Sequence, residues 1–298
     1  MDSELKKTGY FDGWLIQPIQ DKFGISVFHI VKNNESYVGK YYSDEQIHGR
    51  REINHYTMLN EIGVPTLNVV AHTDCLLLLE DISASDLYRL GTEDDMSEIR
   101  VAHLVGKWVN LLHVKGRNYK GLLDLPLLDN INNELDIEKI YNAIQKSGTE
   151  DNPFWSALIE NIENIKRNYL QLCNTVTYND FWWDNLAVSK NYTSVIPFDY
   201  NCVYRKYAYA DIRHILSVLS DEAGTAFLEA YGDYDENEKA FEDLYWSSTG
   251  IIAALNMDEL PSWADKFVEM LNNGMLMKYI IAFEKQKPKI RPCIGDKP

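Results

Sequence analysis

Three side chains between Thr177 and Asp199 have the types and spacing for metal-assisted phosphoryl transfer. In the stretch TYNDFWWDNLAVSK, Asp180 and Asn185 are five positions apart. Asp199 follows Asn185 by fourteen, at the end of the apolar run Val195, Ile196, Phe198. Such chemistry needs a carboxylate to accept the proton of an attacking hydroxyl, the role read for Asp180. It also needs oxygen ligands to hold Mg2+ on nucleotide phosphates, and a hard cation prefers an amide oxygen and a carboxylate, here Asn185 and Asp199. The Asp-x4-Asn pair in isolation also fits a solvated turn between strands, so its context has to decide.

That context is a hairpin. Asn185-Leu186-Ala187-Val188 reads as a short strand, Lys190-Asn191 as a turn and Ser194–Phe198 as the returning strand. Both metal-ligand candidates then sit at the ends of one hairpin.

A nucleotide needs further elements. Trp14–Gln20 and Gly24–Val31 read as an earlier hairpin around Asp21–Gly24, where the backbone N–H groups of Gly24 and Ser26 face phosphate oxygens in a phosphoryl-transfer reading. Tyr37–Tyr42 is β-rich with Lys40 in its middle, placed to pair with phosphates. Asp44–Ile62 has helical periodicity (Ile47, Arg51, Met58, Leu59, Ile62) and stops at Gly63 with Pro65 beyond. It carries Glu52, twelve residues after Lys40, as that lysine's carboxylate partner. Leu67–Ala71 and Leu76–Leu79 read as two more strands. The polar segment from Glu80 through Ile82 to Ser83 reads as a hinge whose backbone, at Glu80 and Ile82, meets an adenine edge. Singly, these residues are a turn, a solvent-facing lysine and a solvated glutamate; their order gives them the functional reading.

Beyond the hinge the pattern turns helical. Met96–Val114, Asp136–Lys146, Asn152–Leu172, Ala210–Leu219, Ala226–Tyr231, Glu236–Ile252 and Leu260–Phe283 are the expected helices. His113 is expected to pack or cap. The expectation is an α+β, two-lobed architecture: residues 1–82 as a β-rich nucleotide-binding lobe, residues 83–298 as a mainly helical catalytic and substrate-binding lobe.

Composition narrows the class. The 298 residues are 45% hydrophobic and 25% charged, as in a globular protein with sizeable cores. A net charge of −16 and the lack of a basic stripe argue against nucleic acid. The longest aliphatic run, Leu76–Leu79, is far short of a membrane span, and MDSELKKTGY has no signal-peptide core. Cys75, Cys173, Cys202 and Cys293 have no metal spacing and read as reduced thiols in a cytoplasmic protein, where the sequons at Asn34 and Asn191 carry no meaning. No obligate protein partner is evident.

The ordered set Lys40, Glu52, hinge, Asp180-x4-Asn185, Asp199 resembles the aminoglycoside phosphotransferase and choline kinase branch of the protein-kinase-like fold. Arg51-Glu52 followed by Met58-Leu59 and Gly63-Val64-Pro65, the hinge Leu78–Ile82, Leu111-Leu112-His113, and Asp199-Tyr200 with Asp211-Ile212 beyond look like that branch, as does Ala226–Gly232. The resemblance implies Asp211 as a brace for the catalytic loop. It departs where the family's His-Gly-Asp or His-Asn-Asp reads Tyr178-Asn179-Asp180, where the phosphate loop has a single glycine, and where Phe181-Trp182-Trp183-Asp184 is bulkier than the usual segment. The indoles of Trp182 and Trp183 read either as core or as a wall that accepts a cation; Asp184 either draws an ammonium or is solvated. Only eleven residues separate Asp199 from Asp211, with no Ala-Pro-Glu segment, which favours a small-molecule acceptor over a protein.

The sequence therefore reads as an ATP- and Mg2+-dependent O-phosphotransferase acting on a small hydroxylated molecule, expected to be cationic, such as an aminoglycoside or amino alcohol. GTP stays open as the donor. Glu222, Glu229 and Asp233 are candidate contacts for substrate amines. The alternatives are a catalytically silent nucleotide-binding module and a protein kinase.

Overall fold

The computed structural model describes residues 2–9, 13–43 and 47–285. The Asp44 start of the expected helix, and Cys293, lie outside them. An antiparallel five-stranded sheet opens the chain: β1 (Leu15–Lys22), β2 (Ile25–Lys32), β3 (Glu35–Tyr42), β4 (Val69–His72) and β5 (Leu76–Glu80), in the order β1-β2-β3-β5-β4. The β1–β2 turn is two residues long, Phe23-Gly24, both at positive φ (52° and 74°), the backbone that matches strand twist in a tight hairpin.

Alternation splits the sheet into two faces. Phe28, Ile30, Leu76 and Leu78 point to one side and form a buried cluster with Leu5 of α1 (Asp2–Thr8), a helix that the polar N-terminal sequence did not suggest. The register Val27↔Lys40↔Leu77 puts Lys40 on the other side, toward α2 (Ile47–Glu61), whose Glu52, Ile53, Tyr56 and Leu59 are buried at helical spacing. Strand β5 buries Leu76 to Leu79 on both faces, which is why it reads as an unbroken apolar run.

The hairpin expected between Asn185 and Asp199 is β8 (Leu186–Ser189) against β9 (Val195–Pro197), with an unforeseen third strand, β6 (Tyr88–Leu90), on the far side of β8. β6 is only three residues, too short to leave a periodic signal. Helix α3 (Ile99–Arg117) follows a short 3-10 turn at Glu93–Met96, so it starts later than its apolar pattern suggested, with Glu98 as its cap. It packs on α8 (Asp221–Tyr231).

Two compact units emerge: Met1–Leu122 with Val176–Tyr204 and Asp211–Gly232, and Leu123–Thr175 with Arg205–Ala210 and Asp233–Pro298. The second is helical, with α4 (Ile131–Glu134), α5 (Ile137–Ser147), α6 (Pro153–Leu172), α9 (Glu236–Asn256), α10 (Asp265–Asn272) and α11 (Met275–Glu284). Its core stacks Tyr169, Phe241 and Tyr245. Its buried ammonium, Lys206, is 2.8 Å from Asp129. The single helix expected over Leu260–Phe283 is two, because Asn273-Gly274 breaks it, with Gly274 at φ 76°. Among the described residues no helix is long and apolar enough to cross a membrane.

Candidate active site

The first unit assembles the site. Lys40 Nζ lies 2.9 and 2.8 Å from the two oxygens of Glu52, whose Oε2 also accepts the Tyr42 hydroxyl at 2.5 Å. The same ammonium donates to Asp199 Oδ1 at 2.8 Å. Burial works against the Lys40 charge, but Glu52 and Asp199 together outweigh it and hold the amine above its usual range. Burial pushes the Glu52 carboxyl up, and Lys40 pulls against that shift. Tyr42, Lys40 and Glu52 meet because residues 40 and 42 share the strand face that α2 covers.

Asp180 and Asn185 form the second group: Asn185 Nδ2 donates to the Asp180 carbonyl and to its carboxylate, each at 3.2 Å. Burial, then the charges of Asp199 and Asp184, push the Asp180 carboxyl up to about 6. The two groups are joined by a short backbone link, Phe198 N–H to Asn185 C=O at 2.9 Å, which closes the hairpin ends as the spacing requires. Asp199 has left-handed backbone, φ 63° and ψ 71°, uncommon for a residue other than glycine.

The loop around Asp180 is braced from beneath. Asp211, 2% exposed on α7 (Ala208–Leu216), accepts the N–H of Tyr178 and of Asn179, both at 2.7 Å. His113 Nε2 donates to the same carboxylate at 3.0 Å, and its Nδ1 is hydrogen-bonded to the Tyr231 hydroxyl at 2.9 Å. Asn179, also left-handed at φ 62°, fixes itself by donating to Thr177 Oγ1 and Cys202 C=O.

The remaining expected contacts stand apart from this cluster. Gly24 forms the hairpin tip, and Ser26 Oγ donates to Asp21 at 3.3 Å, on the sheet face opposite Lys40. The Glu80 carboxylate accepts the Asn68 N–H at 2.7 Å. Ile82 begins a 3-10 turn capped by Asp81, and its carbonyl accepts from Ser85. Trp182 is 43% exposed beside Asp180, and Trp183 is half-buried, so the two indoles differ in environment. Asp184, Glu222, Glu229 and Asp233 are exposed.

The sequence matches no protein-family profile and no curated protein. Solved structures match along nearly the whole chain. A choline kinase from Streptococcus pneumoniae superposes with a TM-score of 0.55 at 11% identity, covering 93% of this chain and 97% of its own. An aminoglycoside phosphotransferase from Alicyclobacillus acidocaldarius gives 0.54 at 12% identity, covering 95% and 93%. A spectinomycin phosphotransferase in complex with ADP and spectinomycin gives 0.51 at 12%, covering 91% and 93%.

The chain has the protein-kinase-like fold.

Within this kinase-like fold, the sequence reading overlooked three contributors. Tyr178, read only as a departure from the usual histidine, donates its hydroxyl to the Phe198 carbonyl. His55, one turn beyond Glu52 on α2, donates through Nδ1 to the Tyr200 carbonyl at 2.7 Å; burial lowers its pKa, and the acceptor fixes which nitrogen carries the proton. Asn201 donates to Asp199 Oδ1, while its own Oδ1 is buried without a partner among the described residues. The i, i+3 spacing of Glu52 and His55 was visible, but the Tyr200 carbonyl that His55 meets lies 145 residues away.

The donor set fits Mg2+. Asn185 directs its amide nitrogen at Asp180, which leaves its oxygen for a cation, and Asp199 and Asn201 add oxygens only. Among the described residues no three His, Cys, Asp or Glu side chains gather to cage a metal alone; Mg2+ instead keeps waters and leans on substrate phosphates.

Proposed function

We propose that this protein is an ATP- and Mg2+-dependent kinase that phosphorylates a hydroxyl of a small, cationic molecule such as an aminoglycoside or amino alcohol. The observation that carries the reading is the convergence of Glu52 and Asp199 on the Lys40 ammonium, with Asp180 and Asn185 one backbone hydrogen bond away. In this reading residues 1–82 are the nucleotide-binding lobe and 83–298 the catalytic and substrate-binding lobe.

Lys40, oriented by Glu52, holds nucleotide phosphates. Asn185 and Asp199 hold Mg2+, which when bound neutralises charge on the phosphoryl oxygens. The backbone N–H groups of Gly24 and Ser26, at the tip of the β1–β2 hairpin, are the candidate contacts for phosphate oxygens, and the backbone at Glu80 and Ile82 meets the base. Asp180 orients the acceptor hydroxyl and takes its proton as the γ-phosphoryl transfers in line; a carboxyl raised to about 6 is a stronger base than an ordinary aspartate, yet ionised at neutral pH. The exposed Trp182 indole and the Asp184 carboxylate favour a cationic acceptor; cation–π attraction contributes about 0.5–2 kcal/mol. The reduced thiols of Cys75, Cys173 and Cys202 suit a cytoplasmic location.

The test is ADP release from Mg-ATP with pooled aminoglycosides, choline and ethanolamine, or hydroxylated sugars and amino acids, against Asp180→Asn. Stimulation by one pool, lost in the variant, supports the reading and names the acceptor class. Nucleotide binding without any release transfers the weight to a silent nucleotide-binding module.

A further inference from the structure

We propose that Tyr178 is a positioning residue for the metal carboxylate Asp199, acting through the Phe198 carbonyl; the inference rests on the phosphotransferase reading above. Asp199 occupies the left-handed region at φ 63°, and a non-glycine residue persists there only when its surroundings hold it. The peptides on either side are what the structure holds. The Phe198 N–H is bonded to Asn185 C=O, the Phe198 carbonyl to the Tyr178 hydroxyl, and the Tyr200 carbonyl to His55.

Of these, Tyr178 alone reaches both halves of the chemistry. Its N–H is fixed by Asp211 two residues before Asp180, and its hydroxyl ends on the peptide that enters Asp199. The side chain between them is rigid and 1% exposed. It packs against Trp108 and Tyr200 with ring centroids 5.9 Å away in each case. A buried ring packed in this way is held close to one rotamer. Tyr178 is therefore a strut of fixed length between the loop of Asp180 and the segment of Asp199. Without the hydroxyl, the Phe198 carbonyl loses this partner, and Asp199 loses a constraint on the backbone that aims its carboxylate.

Tyr178→Phe removes the hydroxyl and keeps the ring. Tyr192→Phe, at the outer turn of the β8–β9 hairpin where Arg89 donates to the hydroxyl at 3.4 Å, is the control. Far-UV circular dichroism and melting first establish that both are folded. The readout is nucleotide affinity, measured for ADP and ATP without metal and across a Mg2+ titration, alongside amide hydrogen exchange at residues 199–201 in the nucleotide-free protein. In Tyr178→Phe the metal-free affinity is unchanged. The Mg2+ concentration for half-maximal tightening rises by about five- to tenfold, the equivalent of one hydrogen bond, and exchange at 199–201 quickens. Tyr192→Phe changes neither. If the wild type shows the Mg2+ dependence and Tyr178→Phe shares it unaltered, this inference alone fails, even where exchange quickens. If the wild type binds nucleotide with no Mg2+ dependence, the phosphotransferase reading fails, and the inference with it.

Discussion

Lys40 Nζ is 2.8 Å from Glu52 Oε2 and 2.8 Å from Asp199 Oδ1, so one buried ammonium ties helix α2 to the segment that follows β9. The side chains of Lys40 and Glu52 are 9% and 0% exposed. Such a pair is costly to bury and more costly to break, because the surviving partner keeps an uncompensated charge. Lys40→Ala should therefore lower the unfolding free energy by about 3–5 kcal/mol in urea titration. The paired change Lys40→Met with Glu52→Leu should recover most of that loss while abolishing nucleotide binding. Equal destabilisation by the single and the paired changes would contradict a buried charge as the cause.

Asp180 places function and stability in opposition. Its carboxyl titrates near 6 in the folded protein, against an ordinary value of 3.8, because burial and the neighbouring Asp199 and Asp184 disfavour its charge. A raised carboxyl binds its proton more tightly when folded. The stability this contributes is full below pH 4 and is lost as the pH rises through about 6. Asn carries no such term. Asp180→Asn should thus melt with the wild type near pH 4 and above it at pH 7.5. With solvent screening of a half-exposed group the gain is about 1 kcal/mol, or about 2–4 °C for a chain of this size. The same variant should lose transfer and keep nucleotide affinity. A melting difference that does not change with pH would show that the neighbouring carboxylates are not its source.

What the sequence made legible follows from period and order. The β-rich start, the helical remainder and the hairpin that ends in Asn185 and Asp199 all leave local signals: alternation, a run of four leucines, and turn residues at Lys190-Asn191. The kinase-like fold was readable because Lys40, Glu52, Asp180, Asn185 and Asp199 fall in a fixed order on elements of the right type. What stayed hidden is long-range. Helix α1 has one buried anchor, Leu5, whose partners on β2 and β5 are chosen by the fold. The clamps from Tyr178 and His55 end on backbone carbonyls, which every residue possesses, so no spacing marks their targets. His113 is expected from sequence to pack or cap; that it donates to Asp211 depends on α3 lying against α7, and no local pattern encodes that contact.

Asp211 supports the loop that carries Asp180 by accepting two adjacent N–H groups and the His113 ring. Asn in its place offers one acceptor oxygen and turns an N–H2 toward a donor. Asp211→Asn should lower stability by about 1.5–3 kcal/mol, the range for a hydrogen bond to a charged group. Phosphoryl transfer should fall more than tenfold, with metal-free nucleotide affinity nearly unchanged, because Lys40 and Glu52 do not contact the brace. Urea titration and nucleotide binding, measured on the same preparation, check both halves. A collapse of nucleotide affinity would mean that the loop and the phosphate site are not separable.

Gly91 sets how closely the turn at Trp183–Asn185 approaches the end of β6. Its N–H donates to Leu186 C=O at 2.6 Å, and a Cβ at this position would lie 2.2 Å from the Trp183 carbonyl oxygen. That oxygen belongs to the 3-10 turn that ends in Asn185, so the overlap can be relieved only by displacing backbone that carries a metal-ligand candidate. Gly91→Ala should cost about 1–3 kcal/mol, as overpacking does, and raise the Mg2+ requirement for nucleotide binding. Thr92→Ala, one residue on and exposed, should leave that requirement unchanged. If Gly91→Ala destabilises the fold while its Mg2+ titration matches the wild type, then the turn moves without carrying Asn185, and the rigid coupling between β6 and the metal site is wrong.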